Sequence, residues 1–346
     1  MSSEHRWSPV VAPPRRLTRP VPADPRGVVG PTPNQARGPR WRRTTPGLFV
    51  PAGVTDELPE QRILEQSMLL PPDGAVTGWA ALRMAGAGFF DGLGRDGRTR
   101  LDVDLVVGPD RPRRARPGIA WHRDRLGTEE VWTRQGVPCT RPERAVFDAM
   151  RWADLRAAVE HLDMAAAAEL VSIRRIRRYT GTRARWDGVP LVRRALDLAD
   201  ENSASPAETR LRLCWVLDAG CPRPLANRDV FDGTGRRLGV ADLIDDRAGV
   251  VGEFDGGEHA RARRRSRDAA RDSAFRDAGL EVFRVTGYDE HYTSVVVERV
   301  RAAYARAATS TRQRRWTLTP PPGWRVALSV DDVLDQQDWL RQLHEA

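Results

Sequence analysis

The chain of 346 residues contains no lysine: all 56 of its basic residues are arginine. A guanidinium keeps its proton, so none of these side chains can serve as a general base. Cysteine is scarce, with only Cys139, Cys214 and Cys221. An odd count without metal-ligand spacing excludes a disulfide framework and points to buried thiols in a reducing compartment. No apolar run approaches the roughly 18 residues of a membrane span, and the first residues lack the apolar region of a signal peptide. These gaps predict a soluble cytoplasmic protein with no membrane partner.

What is present in excess is positive charge. The formal net charge is +9 and the isoelectric point about 10.6. That balance favours a polyanionic partner such as DNA. Uniform arginine beside abundant alanine is also the mark of a GC-rich coding bias, and the charge is spread along the chain. The length predicts two domains or three, with ample material for a core.

The chain is organised around Val240 to Glu281. Val240 to Ile244 is a short apolar run interrupted only by Asp242, and Val250 to Phe254 is a second, interrupted by Gly252 and Glu253. Arg247, Ala248 and Gly249 between them are turn-like, so the pattern predicts strand, turn, strand. Gly256 and Gly257 end the second strand. A long Arg- and Ala-rich helix is expected from about Ala260 to Ala278, stopped by Gly279 at its C-cap. Leu280 to Val285 reads as a third strand.

An ionised carboxylate buried in a strand is costly unless it is paired or holds a metal. Asp242 sits mid-strand, Glu253 and Asp255 share one face of the next strand, and His259 follows just past the glycines. Three acids and an imidazole on adjacent strands suit a hard divalent cation, Mg2+ or Mn2+, that activates water. The same residues also suit strand ends in solvent, paired with the many arginines.

The segments ADLID (Ala241 to Asp245), VVGEFDGGEH (Val250 to His259) and RDAARDSAFRDAGLEVFRVT (Arg267 to Thr286) resemble the very-short-patch-repair-like branch of the PD-(D/E)XK nuclease superfamily. The resemblance covers roughly residues 203–301. It implies a three-layer, restriction-endonuclease-like α/β core with a mixed sheet. It makes Asp242 and Glu253 metal ligands, with Asp255 and His259 following them in the catalytic set. SPAETRLRL (Ser205 to Leu213) is similar to the family's leading helix, with Glu208 at its acidic position. The superfamily's second motif normally ends in a lysine that orients the attacking water. Here that slot holds Asp255, so proton handling falls to His259, whose unperturbed pKa is near neutrality. The very-short-patch branch likewise uses histidine there. On the long helix Asp268, Arg271 and Phe275 share a face, with Phe275 expected in the core and the other two beside the acids or in plain surface pairing. Arg261, Arg264, Arg267 and Arg271 are the expected phosphate contacts.

Residues 1–40 are rich in Pro and Arg with few apolar residues, and are expected to be a disordered tail. Residues 41–150 read as a smaller α/β domain. It has a strand pair turned at Pro46-Gly47, an amphipathic helix from Glu60 to Leu70, and a helix capped by Thr77. Strands follow at Leu101 to Val107 and Gly118 to His122, then a helix opened by the capping box Thr140-x-x-Glu143 with Pro142 in its first turn. GLFVPAG, AVTGWAALRMAG and GVPCTRPERAVFDA resemble AbiEi-type antitoxin proteins, which join a DNA-binding winged helix to an α/β domain; the stretch before GLFVPAG shows no helix-turn-helix period. Residues 151–202 are expected as a helical linker, with the basic run Ile173 to Arg178 facing either solvent or DNA. Residues 203–308 are the nuclease-like domain, and 309–346 a tail ending in an acidic amphipathic helix. The two functions in view are a metal-dependent DNA endonuclease and a non-catalytic, antitoxin-like DNA-binding regulator with a cognate toxin as partner.

Overall fold

A computed structural model describes residues 8–14, 16–111, 114–255, 262–287, 289 and 292–345. The chain is a mixed α/β protein that divides into two compact units, Met1–Arg193 and Arg194–Ala346. Among the described residues, no helix is long and apolar enough to cross a membrane.

The first unit opens with β1 (Val21–Pro22), β2 (Trp41–Thr45) and β3 (Leu48–Pro51), forming a small sheet in the order β1–β3–β2. The β2–β3 hairpin turns at Gly47, whose φ of +80° favours glycine. Helix α1 (Pro59–Ser67), β4 (Ala75–Val76), α2 (Gly78–Met84), β5 (Val103–Val107), β6 (Ile119–Arg123), β7 (Val131–Arg134) and β8 (Val137–Thr140) follow. Their five strands make a mixed sheet, β6–β5–β4–β8–β7. Helices α3 (Pro142–Arg151), α4 (Leu155–Ala167) and α5 (Ile173–Gly181) come next, and the division between units falls within α6 (Val189–Leu198).

Three expectations need correction here. The Pro/Arg-rich stretch is laid against the first unit from residue 8 onward. Its β1 pairs with β3, Thr18 exchanges two 2.9 Å hydrogen bonds with the Gln61 amide, and the Val11 N–H donates to Gly86 O at 2.8 Å. Main-chain hydrogen bonds, which composition does not report, fix it there. The helices after residue 151 are likewise not a separate linker, because α4 and α5 pack on α3 and bury Val159, Leu162 and Ile176. The cap of α3 also differs: Arg141, not Thr140, occupies its N-cap, whereas Thr77 stands at the N-cap of α2 as expected, without a side-chain capping hydrogen bond.

Those threonines serve a buried polar cluster instead. Thr140 Oγ1 donates to Thr77 Oγ1 (3.0 Å), which donates to Asp148 Oδ2 (2.7 Å). Asp148, fully buried, also accepts from Arg144 Nε (2.8 Å) and Arg151 Nε (2.9 Å). Arg144 is itself buried and reaches Glu130 (3.4 Å) and Arg125 O (2.9 Å). Removing one partner of such a set strands a buried charge. Asp148→Ala should therefore destabilise the first unit by about 3–5 kcal/mol, read by urea denaturation. A loss below about 1 kcal/mol would show that the cluster is hydrated.

The second unit begins with α7 (Pro206–Leu213), which runs into one π-helical turn at Cys214–Asp218. Strands β9 (Leu225–Asp232), β10 (Arg237–Asp245) and β11 (Val250–Asp255) form an antiparallel meander. Helix α8 (Ala262–Asp277) carries the chain to β12 (Glu281–Thr286), which lies parallel to β11. Helix α9 (Thr293–Thr309), β13 (Trp316–Thr317) and α10 (Val330–Glu345) complete the unit. The sheet order is β12–β11–β10–β9–β13.

Three layers result. On one face Leu211, Trp215, Val296, Val300 and Ala303 from α7, the π turn and α9 cover Leu243, Val250 and Phe283. On the other, Phe275 and Ala278 of α8 cover Val230, Ile244 and Val251. Trp316 joins that second core at 5% exposure, so the segment after residue 308, expected as a tail, belongs to the sheet. Trp316→Ala should cost about 3–5 kcal/mol in chemical denaturation of the full chain. A change under about 1 kcal/mol would make β13 dispensable.

Candidate active site

The geometry of the acids follows from sheet register. In the β10–β11 pair Leu243 stands opposite Gly252 and Ile244 opposite Val251, a register that, continued by one step, sets Asp242 against Glu253. In the parallel β11–β12 pair Glu253 stands beside Arg284 and Asp255 beside Thr286. Val251 belongs to the core under α8, so alternation turns Glu253 to the same side. Helix α8 meets it there with Arg271 and Asp272. Arg271 forms an ion pair with Glu253 Oε2. Arg284 grips Asp272 through two hydrogen bonds of 2.9 and 2.8 Å and lies 3.8 Å from Asp255.

Both central carboxyls are hard to ionise. Glu253 is 2% exposed; burial, and then the charge of Asp242, push its pKa well above the carboxylate range, and Arg271 offsets only part of this. Burial raises Asp242 too. The Phe254 N–H, 2.9 Å from Oδ2, opposes that rise, the charge of Glu208 reinforces it, and Arg271 and Arg284 pull it back. Two carboxyls that each disfavour the other's ionisation favour a state in which one of them keeps its proton.

Glu208 sits in the first turn of α7 in a reciprocal cap. Its backbone N–H donates to Ser205 Oγ at 3.3 Å, and its carboxylate accepts from the Ala204 N–H (2.9 Å), Ser205 Oγ (2.9 Å) and Asn227 Nδ2 (2.6 Å). It reaches Asp242 through its charge. Asp255 ends β11 half exposed. His259 and Arg261 lie outside the described residues. Arg264 and Arg267 lie on α8, and their side chains are outside the described ones. Arg271, expected at a phosphate, has its guanidinium on Glu253.

Glu253 Oε1 is buried with no hydrogen-bond partner among the described residues. An orphaned carboxylate oxygen is costly, and oxygens from Glu253 and Asp242 are the hard donors that Mg2+ or Mn2+ takes. The pair fits such an ion as part of its shell. Among the described residues, no group of three or more His, Cys, Asp or Glu is poised to hold a metal. Sequence reasoning missed Asp272, Arg284 and Asn227 as neighbours of the acids. For Arg284 a signal existed: in LEVFRV it is, with Glu281, one of two charged residues flanked by apolar ones. Asn227 gave no local signal, since it lies on β9 and meets Glu208 of α7 only in the folded unit.

No family model, no curated protein and no solved structure matches this chain.

The electrostatics give a signed expectation. Both folded pKa values are raised, so the pair's contribution to stability is fully present below about pH 4 and is lost as pH rises through the raised values. Asp242→Asn removes one charge yet keeps an acceptor for the Phe254 N–H. In urea denaturation the variant should exceed wild type by about 1 kcal/mol near neutral pH, and the difference should vanish near pH 4. A less stable variant at neutral pH would mean that the arginines fully offset the pair.

Proposed function

We propose that this protein is a cytoplasmic endonuclease that uses Mg2+ or Mn2+ to hydrolyse phosphodiester bonds in DNA. The observation that carries the reading is the buried Glu253 beside the half-buried Asp242 of the adjacent strand, with one glutamate oxygen that has no hydrogen-bond partner among the described residues. Asp242 and Glu253 would hold the cation, which when bound supplies Lewis-acid charge and lowers the pKa of water. Arg271 orients Glu253 by holding its other oxygen. Arg284 sets Asp272 and stands near Asp255, adding positive charge beside the acids. A chain without lysine needs another proton acceptor, and His259, four residues beyond Asp255, has the suitable chemistry. The net charge of +9 supports DNA as the partner.

The Arg271–Glu253 ion pair favours a second reading, because a guanidinium already neutralises the acid. On that reading the protein is a non-catalytic, antitoxin-like DNA-binding regulator on a nuclease scaffold, with a cognate toxin protein as partner.

Supercoiled plasmid incubated with Mg2+ or Mn2+ separates the two. Wild type should nick it. Asp242→Ala with Glu253→Ala should be slower by at least about a hundredfold, the scale of losing a group that stabilises developing charge, while DNA retention in a gel shift persists. Equal silence from both proteins with DNA binding kept would select the regulator.

A further inference from the structure

We infer that the second unit carries a phosphate-binding pocket at the end of its sheet remote from Asp242 and Glu253. The pocket has a volume of about 140 Å³. Three chain segments build it: the β10–β11 turn, the link from α8 to β12, and the run from the end of α9 to β13. Gly249 and Glu253 are four residues apart on or beside β11, which sets the pocket roughly 13 Å from the acids along the strand.

Its charge is one-sided. Arg247, Arg312 and Arg314 all line it, and the one acid in the lining, Glu281, is already held by Arg306 at 2.6 Å. Three guanidiniums around one partly enclosed space repel each other unless an anion offsets them. Arg314 is preorganised: its guanidinium lies 3.8 Å from the Trp316 ring centroid and donates to Asp246 O at 2.8 Å. The side chain of Arg247 makes no hydrogen bond or ion pair among the described residues, and is available to a ligand.

The backbone is shaped for close approach. Glu281 N–H donates to Gly249 O (2.8 Å), and Arg315 N–H to Ala278 O (2.9 Å), tying the three segments together. Gly279 has a φ of +94°, and a Cβ there would fall 2.7 Å from Gln313 O. Only glycine lets the arginine-bearing run cross so near. Planar guanidinium forks match the oxygens of a phosphate. That group can come from a free or terminal phosphomonoester or from the phosphodiester backbone of a nucleic acid.

The test is calorimetric titration of the full chain with inorganic phosphate, against chloride at matched ionic strength. Saturable binding is expected, weakened by about tenfold or more in Arg247→Gln, the scale of one charge-assisted hydrogen bond. Arg314→Gln should weaken it as well, and its thermal unfolding reports whether packing on Trp316 survives. Asp242→Ala with Glu253→Ala should bind phosphate as wild type does, which separates this pocket from the proposed nuclease centre. Competition then identifies the source. Displacement by a nucleoside 5′-monophosphate alone indicates a phosphomonoester, and displacement by an unphosphorylated oligonucleotide indicates the backbone. No saturable binding beyond the chloride control, or equal binding in wild type and Arg247→Gln, overturns the inference.

Discussion

A carboxylate taken out of water must find a cation, a proton or a set of donors, and both units of this chain are built around that demand. In the first, Asp148 receives two arginines and a threonine and holds α2, α3 and the central strands together. In the second, Glu253 receives one arginine on one oxygen and nothing among the described residues on the other. The first arrangement is closed and reads as structure. The second is open, and an open buried carboxylate beside another acid is where chemistry can be added.

The absence of lysine gives these sites their character. Every cationic partner is a planar fork with a permanent charge. Such forks serve bidentate pairing well, as in Arg284 with Asp272 and Arg299 with Asp289. They also stack on aromatic rings, as Arg314 does on Trp316. They cannot accept a proton, so any acid–base work near Asp242 and Glu253 falls to the carboxyls themselves or to an imidazole. The same constraint makes an arginine-lined pocket an anion site in the second unit rather than a site of proton transfer.

The two regions of interest sit at opposite ends of one strand. β11 begins at the arginine-lined pocket and ends at the acids, with Gly252 between them packed so tightly that a Cβ would meet Trp215 and Phe283 at 2.8 Å. That packing leaves no room for a side chain at Gly252. The π-helical turn carrying Trp215 belongs to the same face, where Tyr304 accepts from the Trp215 indole and donates to Asp245. Asp245 in turn caps the β10–β11 turn through the Arg247 and Ala248 N–H groups, so the core sets the geometry of the pocket's first arginine.

Local patterning in the sequence determined much of the second unit. The alternation around Asp242 and Glu253 and the burial of Phe275 follow from periods of 2 and 3.6, and the turn at Arg247 to Gly249 and the helix end at Gly279 follow from turn and capping residues. The candidate acids were legible because a charge inside an apolar run is conspicuous. What only the tertiary structure decided were the partners. Arg271 could be assigned to a helix face but not to Glu253, since that depends on how α8 lies across β11. Thr140 looks like a helix cap in isolation, but Arg141 takes that place; Thr77 stands at the N-cap of α2, yet its hydroxyl turns to Asp148 and accepts from Thr140. The Pro/Arg-rich start and Trp316 were read as peripheral because their anchoring is through main-chain hydrogen bonds and strand addition, contacts between residues far apart in sequence that composition does not encode.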